Sequence, residues 1–176
     1  MPKILKFYSI LILIFFNINF AHGENLKIAY VDIDKILSQS KVGKKINTKI
    51  ENLIKKKNKE FQKIQEDLKN KDSEIIKQKN ILSQEELNKK ISEIQKKIND
   101  YRAQKEKFNN EINQKRLKAT GDLVVFLNKI LGKYASDNSI SLIIQKKNIV
   151  IGKSELDITK QILEIFNKEV KDVKLN

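Results

Sequence analysis

The chain has 176 residues, of which 36 are Lys or Arg and 22 are Asp or Glu, so its formal net charge is +14. It contains no Cys and a single His, His22, and the glycines beyond the first 23 residues stand isolated at 43, 121, 132 and 152. This composition excludes disulfides, thiol nucleophiles, His bases after residue 22, ordinary zinc sites and glycine-rich phosphate loops, so we predict a non-enzyme with no catalytic residue, metal or cofactor.

The first 23 residues have the pattern of a secretory signal peptide. Two lysines in "MPKILK" precede the apolar stretch "FYSILILIFFNINF", and "AHG" places small residues before a cleavage site after Gly23. The alternative is a membrane anchor, but the apolar stretch is shorter than the roughly 20 residues that span a bilayer. We therefore expect an exported protein whose mature chain begins at Glu24.

The mature chain opens with a predicted strand over residues 26–33, which is apolar on both faces. Asp32 and Asp34 in "VDIDKI" form a close pair of acids at its end. We interpret the pair as a strand end followed by a helix cap, in which the Asp34 carboxylate accepts from the next backbone N–H groups. The alternative is a carboxylate site.

Two long helices are predicted after this strand, because residues 44–119 contain neither Pro nor Gly. Apolar side chains recur there at alternating steps of four and three residues, a spacing that holds one narrow seam against a partner helix. The first seam consists of Ile50, Ile54, Lys57, Phe61, Ile64, Leu68, Lys71 and Ile75, and the second of Leu87, Ile91, Ile94, Ile98, Tyr101, Lys105, Phe108, Ile112, Lys115 and Ala119.

The segment "ILSQEELNKK", residues 81–90, separates the two seams. Ser83 and Glu86 have the spacing of a capping box, and Leu82 and Leu87 have that of a hydrophobic staple. We therefore predict an antiparallel helical hairpin, the arm, over residues 44–119, with its tip near residues 82–86. One continuous helix through the tip is the alternative.

The remaining mature residues, 24–43 and 120–176, are predicted to form a small body. "DLVVFLNKILGKYA" has a wide apolar helical stripe, "SLIIQ" and "NIVIG" are candidates for a β-hairpin, and "LDITKQILEIFNKEV" is an amphipathic helix with Asp157 as its N-cap. The fold class is α+β, mostly α. Because about 75 residues scarcely cover strands with two apolar faces, we predict oligomerisation through the body. The predicted interface consists of Ile28, Tyr30, Ile33, Leu142, Ile144, Ile149 and Ile151.

Positive charge is concentrated in the arm, where residues 44–118 hold 22 Lys or Arg and 12 Asp or Glu, a net charge of +10. Such an arm attracts anionic partners, although a solvated helix face is the simpler alternative. We predict a binding surface near the tip that combines lysines with apolar side chains. Its residues are Lys69, Lys71, Ile76, Lys77, Lys79, Ile81, Leu82, Lys89 and Lys90.

The order of three stretches resembles one known family. "KIAYVDIDKILSQS" follows the leader, a Lys-rich helical insertion comes next, and "SLIIQKKNIVIGKSELDITKQILEIFNK" closes the chain. This order is similar to that of the Skp family of OmpH-like periplasmic chaperones, and the match spans the mature chain. The arm matches in pattern and charge only.

The resemblance implies a periplasmic homotrimer, in which strands from three chains form a small barrel and the arms surround a cavity. It implies a holdase that binds unfolded outer-membrane β-barrel proteins without ATP. From their charge and position in the sequence, we expect the tip residues named above to contact this client. A lipopolysaccharide site has been proposed for the family, but its residues have no match in this arm. The sequence therefore neither supports nor excludes lipopolysaccharide or another anionic lipid as a partner.

Two other functional classes are left open. The chain could be a structural coiled-coil spacer of the cell envelope, or a basic coiled coil that binds an anionic membrane surface or nucleic acid. Nucleic acid is not expected as a partner, because an exported protein encounters little of it. The chain also has little Arg and few aromatic residues for base contacts.

Overall fold

The computed structural model describes residues 26–175. The predicted signal peptide and its cleavage after Gly23 lie outside these residues. The elements are β1 (Ile28–Val31), α1 (Ile33–Gln39), α2 (Lys41–Gln78), α3 (Gln84–Asp137), β2 (Leu142–Gln145) and α4 (Thr159–Glu169), with short 3-10 helices at Lys146–Asn148 and Ser154–Leu156. The predicted fold class, mostly α with a small β part and a long helical hairpin, is confirmed.

β1 and β2 form a parallel two-stranded sheet, in which Ile28 lies opposite Leu142. β1 is shorter than the predicted strand because a helix begins at Ile33, which therefore lies in α1 and not in the sheet. The Asp32 carboxylate accepts the Lys35 N–H at 2.9 Å and caps this helix. The prediction that Asp34 is the cap is wrong, since Asp34 lies in the first turn of α1.

The predicted β-hairpin of "SLIIQ" and "NIVIG" is also wrong. Its first half is β2, but the chain then forms the 3-10 helix, and the Ile149 N–H donates to the Lys146 carbonyl at 3.0 Å. The connection "KKN" lacks the Gly that a tight two-residue hairpin turn favours, so the chain leaves the sheet instead of folding back on it. Val150 and Ile151 consequently stand 98% and 91% exposed in the chain.

α1 and α2 meet without a linker at Ser40, whose side chain is fully buried. Its Oγ accepts the Gly43 N–H at 3.1 Å and caps α2. Gly43 permits this close approach, because an added Cβ would lie 1.8 Å from the Leu37 carbonyl oxygen. The Lys41 N–H donates to Asn167 Oδ1 of α4 at 2.7 Å, so the start of the arm is held against the body.

α2 and α3 pack antiparallel and form the arm. The ring of Phe61 packs edge-on against Tyr101 and Phe108, with centroid separations of 5.7 and 5.9 Å. The predicted capping box is present: Ser83 Oγ accepts the Glu86 N–H, and the Glu86 carboxylate accepts the Ser83 N–H at 3.0 Å. The alternative of one continuous helix is excluded.

α3 continues without interruption from the tip into the body, over 54 residues. At 1.5 Å per residue its length is roughly 80 Å. Its buried residues Leu123 and Leu127 join Ile162 and Phe166 of α4 in one hydrophobic core. The same helix therefore forms one half of the hairpin and also packs in the core of the body.

α4 begins slightly later than predicted. Its N-cap is the buried Ile158 rather than Asp157. Asp157 nevertheless accepts the Thr159 N–H at 3.0 Å and pairs with Lys146 at 2.6 Å. The Asp157 side chain thus accepts a hydrogen bond from the start of α4, and its ion pair with Lys146 links the end of β2 to that helix.

Candidate binding surface of the arm

The arm turns at residues 79–83, between α2 and α3. The Gln78 carbonyl accepts the N–H groups of Ile81 at 2.9 Å and Leu82 at 3.1 Å. Hydrogen bonds from Ser83 hold the pKa of Glu86 below its ordinary value, and the charge of Lys90 adds to this effect. The capping box and these turn bonds give the tip a defined backbone.

Apolar side chains are exposed at the tip. Ile76 and Ile81 are 66% and 84% exposed, more than any apolar side chain of the two seams. Leu82, the third apolar residue of the predicted binding surface, is half-buried. The two isoleucines therefore offer apolar surface that the hairpin itself does not use.

The lysines of the predicted surface fall into two groups. Lys71 and Lys90 are half-buried and engaged in the hairpin. Lys71 pairs with Asp67, whose hydrogen bond raises the pKa of the lysine, and Lys90 donates to Gln78 Oε1 at 2.8 Å across the hairpin. The others are exposed and face solvent: Lys69, Lys77, Lys79 and Lys89.

A small cavity lies between α2 and α3 below the tip. It has a volume of 180 Å³ and is lined by Lys71, Lys90, Lys97, Glu74 and Glu93 together with the seam residues Ile75 and Ile94. Charged and apolar side chains therefore meet at this level of the hairpin.

The predicted oligomer residues lie on β1, β2 and the segment after β2, with Ile33 in α1. Ile28, Leu142 and Ile151 are exposed, and Ile33, Ile144 and Ile149 are half-buried. Tyr30 differs, because it is buried within the chain and its hydroxyl donates to the Lys153 carbonyl at 3.1 Å. Val150, which stands between two isoleucines in "NIVIG" and was not part of the prediction, is almost fully exposed.

Asp32, the first of the two acids at the start of α1, has a structural role. Asp32 caps the helix, and its N–H donates to Thr159 Oγ1 at 2.9 Å. Among residues 26–175, no group of three or more His, Cys, Asp or Glu side chains is placed to hold a metal ion. In the same part of the chain, every helix is too short or too polar to cross a bilayer.

Comparisons with known proteins agree with the resemblance noted in the sequence. The model of the family described as "Outer membrane protein (OmpH-like)" matches residues 27–166. No curated protein matches the sequence. A solved structure, that of a candidate outer membrane chaperone (OmpH-like) from Caulobacter crescentus CB15, aligns with a TM-score of 0.78 and 18% identity over 88% of this chain and 92% of that chain. At this identity the likeness establishes the fold.

Proposed function

The chain belongs to the OmpH-like family of outer membrane proteins, and on this premise we propose that it is a periplasmic chaperone for unfolded outer-membrane β-barrel proteins. It acts as a holdase, which binds its client in a cavity between basic helical arms and prevents aggregation without ATP. The fold that it shares with the candidate chaperone from Caulobacter crescentus supports this assignment.

The observation that carries the proposal is the combination of charge and apolar surface at the arm tip. Ile76 and Ile81 are exposed there, and four exposed lysines lie close to them in sequence. An unfolded β-barrel protein exposes apolar side chains at alternate positions and often carries net negative charge. The lysines raise its encounter rate, and the apolar side chains hold it after contact.

We propose that the active form is a homotrimer joined through the body. Ile28, Leu142, Val150 and Ile151 form apolar surface that is exposed in a single chain and that neighbouring copies would cover. Three linked arms then bind one client through several weak contacts, and their combined affinity exceeds that of each contact. Weak contacts also release the client without an energy-consuming step.

Light scattering during dilution of a denatured β-barrel protein tests the function. The whole chain should suppress the rise in scattering. The matched control replaces residues 62–104 with a short loop, because Phe61 lies across the hairpin from Tyr101 and Phe108 and the cut joins facing points of the two helices. The shortened chain should keep the body and lose the suppression.

The outcomes separate the proposal from its rivals. Aggregation that proceeds unchanged with the whole chain contradicts a holdase and favours a spacer. Equal suppression by both chains contradicts a cavity formed by the arms. Sedimentation of the chain with anionic vesicles in the absence of client, without any effect on aggregation, would favour the membrane-binding alternative and an anionic lipid as partner.

A further inference from the structure

The last described residues, 170–175, form a tail that follows α4 and belongs to no helix or strand. Val170 has an extended backbone and donates its N–H to the Phe166 carbonyl at 2.9 Å. Val170 and Val173 are buried, and Leu175 is half-buried against the same core. The tail lies beyond residues 27–166, which the family model matches.

The tail lies in a cleft at the root of the arm, between α2 and α3. The Asp172 carboxylate is 3.2 Å from Lys45 Nζ and 3.7 Å from Lys49 Nζ of α2. A hydrogen bond from Lys45 holds the pKa of Asp172 below its ordinary value, and the charges of both lysines contribute. The segment that this cleft receives therefore carries one acidic side chain, Asp172, and inward apolar side chains at 170, 173 and 175, while Lys171 and Lys174 are exposed.

The tail leaves much of the cleft open. A cavity of 580 Å³ lies between the tail and α2, where Leu53 is exposed, and one of 430 Å³ lies between the tail and α3, where Val125 and Phe126 are exposed. The helices contribute four cations to the cleft and one carboxylate: Lys45, Lys49, Lys56, Lys118 and Asp122. The tail itself contributes Asp172 and Lys174. The cleft thus has unused apolar surface within a basic rim.

We propose that this cleft is a second client-binding site, which takes an extended segment with apolar side chains and an acidic residue, and that the tail is its intramolecular competitor. The inference rests on the proposed function. The tail has the alternation of a short unfolded β segment, since Val173 and Leu175 face the core on either side of the exposed Lys174 and follow Asp172. A tethered competitor occupies the cleft at high effective concentration, so a client segment must displace it.

A reversible disulfide tests the proposal, because the chain has no native Cys. Leu53 and Leu175 line the same cavity, so Leu53→Cys with Leu175→Cys should lock the tail in place on oxidation. We expect the Kd for an unfolded β-barrel protein to rise by about fivefold when the lock forms and to recover on reduction, since the locked cleft no longer adds its contacts to those of the arm. Leu175→Cys alone, oxidised in the same way, is the control for disulfides between chains.

The outcomes distinguish failure of the cleft proposal from failure of the proposed function. If reduced and oxidised chains hold client equally well, the cleft proposal is overturned while the holdase function stands. If neither form binds client, the proposed function itself fails. A chain that ends at Lys171 should bind client more tightly than the whole chain. If the shortened chain does not fold, Asp172→Lys is the substitute test. It puts a like charge beside Lys45 and Lys49 and should also bind client more tightly. Unchanged or weaker binding by these variants would make the tail a structural strap only.

Discussion

Gly43 determines how closely α1 and α2 can meet. An added Cβ would lie 1.8 Å from the Leu37 carbonyl oxygen, and this obstacle is backbone that cannot rotate away. We expect Gly43→Ala to lower the free energy of unfolding by about 3 kcal/mol, the upper part of the usual range for overpacking. Urea denaturation followed by circular dichroism measures the change.

Gly132 is the matched control for this substitution. It also lies inside a helix, but an added Cβ there would meet nothing within 4 Å. Gly132→Ala should raise the free energy of unfolding by about 0.5–1 kcal/mol, because Ala loses less conformational entropy than Gly in a helix. Equal effects at the two positions would mean that the tight junction at Ser40 does not exist.

Asp157 should make stability depend on pH. Burial raises the pKa of Asp157, but hydrogen bonds from Lys146 and Thr159 outweigh burial, so the net pKa lies below the ordinary 3.8. A lowered folded-state pKa gives stability that is present above pH 3.8 and is lost as the pH falls through the lower folded value. Asp157→Asn should therefore cost about 1–2 kcal/mol at pH 7, and this difference should shrink near pH 3.

The partner lysine provides the check on this interpretation. Lys146→Met should reproduce most of the loss at pH 7, and the double variant should be little worse than either single one, since both remove the same interaction. Urea denaturation at pH 7 and pH 3 measures all four chains. Additive losses would show that Asp157 and Lys146 act independently.

At the scale of an element, the side chains that pack the hairpin and the exposed side chains that are proposed to bind client lie at different positions along the arm. Seam residues such as Phe61 hold α2 against α3, whereas Ile76 and Ile81 are exposed and contribute little to the packing of the hairpin. Substitutions at the tip should therefore change client binding and leave the helices intact, because surface substitutions usually alter stability by less than about 0.5 kcal/mol.

Charge at the tip should control association. Reversal of Lys69, Lys77, Lys79 and Lys89 to Glu should slow client capture about tenfold at low salt and remove its salt dependence, because exposed charges act over a Debye length of about 8 Å at physiological salt. Ile76→Ser with Ile81→Ser should instead speed dissociation. Stopped-flow fluorescence with a labelled unfolded β-barrel protein measures both rates.

Four exposed body lysines make the matched control. Reversal of Lys133, Lys147, Lys160 and Lys168 changes the net charge by the same amount without touching the arm. If this control slows capture as much as the tip variant does, net charge alone steers the client. If neither variant changes the rate or its salt slope, the basic arm is only a solvated helix face.

The helical elements were predictable because their signals are local. The capping box at Ser83 and the seam through Phe61 depend on residues a few positions apart, and both are present in the structure. The fate of "NIVIG" depended on pairing with distant strands, which the sequence pattern cannot specify. The tail was missed for the same reason, since its position depends in part on Lys45, which lies more than 100 residues earlier in the chain.

At the scale of the whole molecule, two apolar positions with similar exposure have different proposed roles. Ile151 lies in the segment after β2 and is 91% exposed, whereas Ile81 lies at the arm tip and is 84% exposed. In a single chain, neither side chain contributes much to the core. Only an assembly through the body would bury Ile151 and leave Ile81 in solvent.

Lysine at each position distinguishes the two roles. Ile151→Lys would place an ammonium group in the subunit contact, and burial of an unpaired charge is unfavourable. We expect sedimentation equilibrium to show a trimer for the natural chain and for Ile81→Lys, and mainly monomer for Ile151→Lys, with association at least about tenfold weaker per contact, or about 1.4 kcal/mol. Helicity should be unchanged in both variants, because both side chains are exposed within the chain. A trimer that persists in Ile151→Lys would mean that another face of the body joins the chains, and client capture would then have to be explained from a different arrangement of the three arms.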